Sequence, residues 1–129
     1  MQELSQVGRI LKKYKRLNTE LKYLDRVILS IGTNYALPAS IGAEKIEVLM
    51  REKSKYILFK ARVEYAIKQI DKKYSKPLIL KYVYDFKSDE ISDALNKSVR
   101  NYFRTSKRAE DIFLKAYNNF DKTMYENSL

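Results

Sequence analysis

The sequence predicts an all-α protein in which long N-terminal helices lead into a C-terminal helix-turn-helix unit. Three observations carry that expectation. Apolar residues recur at alternating spacings of three and four along most of the 129 residues. Only three Gly and two Pro interrupt them, too few for a disordered or turn-rich, sheet-forming chain. Residues 88–108, SDEISDALNKSVRNYFRTSKR, spell two helical patterns around a three-residue break.

Residues 5–31 form the first expected helix. Val7, Ile10, Tyr14, Leu17, Leu21, Leu24, Ile28 and Ile31 make an unbroken a/d stripe. A stripe of this kind needs a helical partner. Two partners are open: a second copy, giving a homodimer through these eight residues, and a later helix of the same chain. The dimer is the more attractive, because helix-turn-helix proteins often read paired half-sites. Arg9, Lys12, Lys13, Lys15 and Arg16 cluster on the polar side as a solvated face.

Residues 32–42, GTNYALPASIG, hold two of the three glycines and read as a loop and candidate hinge. Residues 43–73 read as a second long helix. Its apolar face of Ile46, Leu49, Tyr56, Val63, Ile67 and Ile70 is interrupted by Lys53 and Lys60, so it suits globular packing rather than a strict coiled coil. Ser75 is the expected N-cap of a third, short helix, with Pro77 in its first turn. Leu78, Ile79, Tyr82 and Val83 give that helix its apolar character.

Ser88 is the expected N-cap of the fourth helix, with Asp89 and Glu90 where the helix dipole favours acids. Ile91, Ala94 and Leu95 form its apolar face, and Asn96 tolerates the left-handed backbone that ends many helices. Ser98 then caps a fifth helix, apolar through Val99, Tyr102, Ala109, Phe113, Ala116, Tyr117 and Phe120. Ile91, Leu95, Val99 and Tyr102 are expected to pack against Leu78, Tyr82 and Val83. The chain thus divides into 1–42 (helix and loop, for oligomerisation or packing), 43–74 (middle helix), 75–121 (helix-turn-helix unit) and 122–129 (a tail expected to fray).

Charge points to the partner. Lys plus Arg number 26 against 16 acids, a net +10 with pI near 9.7, which favours a polyanion. That charge is placed rather than scattered: no acid occurs in 97–109, whereas 85–93 holds four. At about 100° per residue, Lys97, Arg100, Arg104, Lys107 and Arg108 fall within an arc of roughly 100°, opposite the apolar side. A basic face opposite a packed face is what a helix needs to enter a major groove. Arg100, Asn101 and Arg104 lie near the helix start and are the candidate base contacts, Arg matching guanine and Asn adenine. Lys97, Ser98, Thr105, Lys107 and Arg108 are the candidate phosphate contacts. Tyr102 lies on the packed side, while Phe103, at the boundary, is open between packing and base stacking.

The chain has no Cys and no His, which removes thiolate metal sites, zinc fingers and catalytic triads. Asp89, Glu90 and Asp93 are the one tight acidic cluster and read as dipole complementation. No Gly-rich phosphate loop occurs. The expectation is a non-enzyme without cofactor or metal. Residues 1–24 are charged throughout, which excludes a signal peptide or span there, and a cytoplasmic location follows as the expectation.

Residues 80–99, LKYVYDFKSDEISDALNKSV, resemble the helix-turn-helix of sigma-factor region four, through Leu80-Lys81-Tyr82, Glu90-Ile91-Ser92 and Ser98-Val99. Asn96 stands where that pattern has Gly, and Ser106 where it has Leu. Over most of its length the chain also resembles the ArpU-type family of phage transcriptional regulators. The motif S-x-x-x-Y-F-R-x-x-K-R-A spans Ser98 to Ala109 and is followed by Phe113 and Ala116-Tyr117. An L-K-K-Y-K-R run starts at Leu11. The resemblance implies a sequence-specific regulator of phage or prophage late genes in a bacterial cell, with double-stranded DNA as partner. Two alternatives stand beside it: the DNA-recognition subunit of a phage packaging machine, and a helical adaptor that contacts RNA polymerase.

Overall fold

A computed structural model describes residues 4–121. The expected tail, 122–129, lies outside the described residues. Every regular element among those described is an α-helix: α1 (Gln6–Gly32), α2 (Ala39–Gln69), α3 (Lys72–Tyr82), α4 (Ser88–Leu95) and α5 (Val99–Asn118). No helix among them is long and apolar enough to cross a membrane.

Ser5 starts α1, its Oγ accepting from the Gly8 N–H at 3.0 Å, which satisfies one of the orphan donors of the first turn. At 1.5 Å per residue, α1 and α2 are each about 40 Å or more long. They lie against each other as a hairpin. The turn is tighter than the sequence suggests: only residues 33–38 are non-helical, and Asn34 Oδ1 accepts from the Ala36 N–H at 3.0 Å to shape it. Gly42 is not in the loop. It is buried in the first turns of α2, where Ile31 of α1 lies against it; a Cβ there would be 3.8 Å from Ile31 Cγ2. The glycine marks a helix–helix approach rather than a hinge.

The stripe on α1 is covered within the chain. Val7, Ile10, Leu17 and Leu24 are buried, and Tyr14, Leu21, Ile28 and Ile31 half-buried. A homodimer seam on those residues would require the α1–α2 hairpin to open, so of the two partners left open by the sequence, the structure supplies the later helix.

Helix α3 starts three residues before Ser75. Asp71 is its N-cap, with Oδ1 accepting from the Lys73 N–H at 3.0 Å, and Ile70 is the extended residue that ends α2. Pro77 is therefore interior, where it removes one helical hydrogen bond. The helix continues through it, and its ring is fully buried. Ser75 is buried too, inside the helix and not at its cap.

One core joins all but α4. Val7, Ile10 and Leu11 of α1, Val63 and Ala66 of α2, Leu78 and Tyr82 of α3, and Ala109, Phe113 and Tyr117 of α5 form a single buried cluster. Residues of the two N-terminal helices thus share one hydrophobic core with α3 and α5. Polar clamps reinforce the junctions. Arg62 of α2 donates from Nε to the Tyr117 carbonyl at 2.8 Å and stacks on the Tyr117 ring at 3.7 Å, which satisfies an end carbonyl of α5 with a cation where the dipole favours one. Lys12 and Lys15 of α1 both pair with Asp85 in the α3–α4 turn. Asp25 and Lys53 bridge the hairpin at 2.6 Å.

Candidate nucleic-acid interface

The candidate site is built by α4, its turn and α5. The N-cap of α4 is Lys87, one residue before Ser88. Glu90 reaches back so that its Oε1 accepts from the Lys87 N–H at 3.0 Å. Ile91 is fully buried and Leu95 half-buried, but Ala94 is exposed and Ser92 takes the buried place beside Ile91. Ser92 can be buried because its hydroxyl donates to the Asp89 carbonyl at 2.9 Å.

Asn96 adopts the left-handed conformation at φ 57°, ψ 42°. Its N–H, and that of Lys97 at 2.9 Å from the Ser92 carbonyl, close the end of α4 as a Schellman-type cap. Asn does here what Gly does more often. Ser98 then caps α5, its Oγ accepting from the Asn101 N–H at 3.2 Å. Helix, left-handed turn and second helix follow each other with only residues 96–98 between the two helices, and Tyr102, fully buried, is the anchor that seats the start of α5 on the rest.

Val99 departs from expectation. It is exposed, because it is the first residue of α5 and lies one turn ahead of Tyr102, where the packed side begins. Ser106 is buried on the packed side and lines a groove of 360 Å³ with Lys81, Phe103, Lys107, Glu110 and Asp111.

All three candidate base contacts, Arg100, Asn101 and Arg104, are exposed on the first two turns of α5, with Lys97 and Lys107 on the same face. Lys97, Arg100, Arg104 and Lys107 form no ion pair with any described residue, whereas lysines of α1 and α2 do. Two candidates are less free than the sequence suggests. Arg108 lies 5.9 Å from the Tyr74 ring, at the edge of the face. Thr105 donates its hydroxyl proton to the Asn101 carbonyl at 2.9 Å, so in this rotamer it has none to offer a phosphate. Ser98 accepts in its cap and keeps its proton for donation. Asp111, exposed in the fourth turn, closes the basic face at its C-terminal end.

Two further residues border the site: Lys81, which carries no signal in the sequence, and Phe103, which the sequence leaves open between packing and base stacking. Lys81 ends α3 beside Phe103 and Lys107. Burial pulls its ammonium down, but Tyr82, Tyr102 and Glu110 outweigh that and its pKa lies above the usual lysine value. It is a further fixed cation at the rim. Phe103 is exposed, with its ring tilted against Tyr102 at 5.3 Å between centroids, so it is not a core residue. The signal for Lys81 was absent because its position depends on how α3 crosses α5.

No cluster of three or more metal-ligating side chains occurs among the described residues. The chain matches no family model, no curated protein and no solved structure.

Proposed function

We propose that the protein is a sequence-specific double-stranded DNA-binding transcription regulator that places α5 in the major groove. The observation that carries this reading is a set of four exposed cations, Lys97 in the turn before α5 and Arg100, Arg104 and Lys107 on it, that form no ion pair among the described residues and are presented by a left-handed turn and a buried anchor. In that arrangement Arg100, Asn101 and Arg104 read base edges, while Lys97, Ser98 and Lys107 hold phosphates. The acids of α4 keep that helix from competing for the same phosphates. The resemblance of residues 98–109 to the ArpU-type motif directs the reading to phage or prophage late genes.

The test is selection of bound sequences from random duplex DNA with the full chain. A recovered consensus supports sequence-specific regulation. Binding without a consensus, at a steep salt dependence, would leave only a non-specific polyanion binder.

A further inference from the structure

The α1–α2 hairpin has an outer part that the core does not reach. Between residues 18 and 57 no side chain belongs to the common core cluster, and on α2 nothing is buried from Gly42 until Val63. Yet this arm carries seven exposed large apolar residues: Tyr23, Leu29, Tyr35, Ile41, Val48, Met50 and Ile57. Tyr35 is 98 % exposed, Leu29 67 % and Val48 55 %. The seven do not form a single face: at about 100° per residue Met50 and Ile57 lie opposite Val48 on α2, whereas Ile41 and Val48 share one side. An apolar side left open on a helix pair is what a bundle partner covers.

Near the tip the side that holds Ile41 and Val48 borders a groove. Ile31, Glu44, Lys45, Val48 and Leu49 line a volume of 430 Å³. On α2, Ile41, Glu44, Lys45 and Val48 stand at i, i+3, i+4 and i+7, one side of the helix. It is turned away from Gly42 and Ile46, which meet α1 at Ile31 and Gly32.

Charge identifies the occupant. Residues 18–57 hold six Lys or Arg and five Asp or Glu, so only +1 of the chain's +10 lies on the arm. Two copies brought together through their bodies would repel; through their arms they would not. The groove also carries one acid and one base side by side. A two-fold contact needs that self-complementarity, since residue i of one copy must satisfy residue j of the other and the reverse. A strongly acidic or basic partner would leave one of the two unmatched.

We infer that the outer face of the arm is a homodimer interface, in which Val48 of each copy enters the groove of the other and Glu44 pairs with Lys45 across the two-fold axis. The interface is distinct from the buried a/d stripe and does not depend on the proposed DNA binding.

The experiment is sedimentation equilibrium of the full chain from low micromolar to sub-millimolar concentration. The wild type passes from monomer to dimer. Val48→Lys, at an exposed position, stays monomeric with unchanged helical circular dichroism and melting temperature. Glu44→Lys and Lys45→Glu each weaken association roughly tenfold by placing like charges across the axis, and the double exchange restores it. A wild type that is monomeric throughout leaves the groove to a different protein and overturns the inference. So does a Val48→Lys variant that dimerises as the wild type does, or a double exchange as weak as the single ones.

Discussion

Gly8 of α1 lies directly against the Tyr82 ring of α3: a Cβ added at position 8 would stand 2.9 Å from Tyr82 Cε1 and 3.3 Å from Ser5 Oγ. The ring cannot swing aside, because Tyr82 is part of the core and its hydroxyl lies 3.4 Å from Ser5 Oγ and 3.5 Å from Glu110. Gly8→Ala gains up to about 1 kcal/mol of helix propensity. Overpacking against a buried ring costs about 1–3 kcal/mol, which is the larger effect. The variant is expected to be less stable by about 1–2 kcal/mol, read as a melting temperature lower by several degrees. An unchanged or higher melting temperature would mean that α1 does not approach α3 this closely.

The Asp85 clamp is expected to be pH-dependent. Hydrogen bonds from Lys12 and then Lys15 hold its carboxyl down to about 2, from an ordinary 3.8. The native state therefore binds this proton less readily than the unfolded chain. The clamp's contribution is complete above roughly pH 4 and is lost as pH falls through about 2. Asp85 has φ 58°, a left-handed conformation that Asn accepts, so Asp85→Asn removes the charge with little backbone strain. Its melting temperature should lie below wild type near neutral pH, and the difference should close as pH falls from 4 to 2. A difference that persists at pH 2 would assign the effect to something other than the ion pairs. The pairs are part-exposed, so added salt should also narrow the difference.

Tyr102 is fully buried, and its hydroxyl has no hydrogen-bond partner among the described residues. A buried hydroxyl without a partner costs about 1–3 kcal/mol relative to the same shape without it. Tyr102→Phe should therefore match or exceed the wild type in thermal stability, by up to about 1 kcal/mol, as read by denaturant titration. A clear loss would show that the hydroxyl is satisfied in solution by water.

The contrast between Asn96 and Val99 explains how much of this was legible in the sequence. The helical elements, the left-handed residue at Asn96 and the Ser98 cap follow from local chemistry within a few residues, and the structure has all of them. The boundaries of α2 and α3 moved because Asp71 caps one turn ahead of the signal read at Ser75 and Pro77. Gly42 reads as a loop residue in the sequence because a glycine needed for helix approach and one needed for a turn look alike in one dimension. Val99 lies on the periodic apolar side but beyond where any neighbour reaches, a fact about tertiary position. The basic face was legible because charge spacing on one helix is local; Lys81 was not, because it joins that face from a different helix. Covering of the α1 stripe by α2 rather than by a second copy was undetermined, since both partners present the same periodic pattern.

The proposed division of labour on α5 makes opposite predictions for neighbouring residues. Arg100, Asn101 and Arg104 are exposed at the start of the helix, where a groove-entering helix meets base edges. Each change to Ala should cost about 1–3 kcal/mol on the selected site and much less on random duplex. Lys97 and Lys107 are exposed at the flanks of the same face and form no ion pair among the described residues. Either change to Ala should weaken all DNA about equally and flatten the slope of log K against log salt by about 0.9. Thr105→Ala should change neither quantity much, because its hydroxyl is held by the Asn101 carbonyl. Every position here is exposed or half-exposed, so folding is not at stake and a melting curve serves as the control. Fluorescence anisotropy on the selected duplex and on a scrambled one, across a salt series, separates the two groups. Equal losses on both duplexes for Arg100, Asn101 and Arg104 would reassign these residues to phosphate contacts and remove base readout from α5.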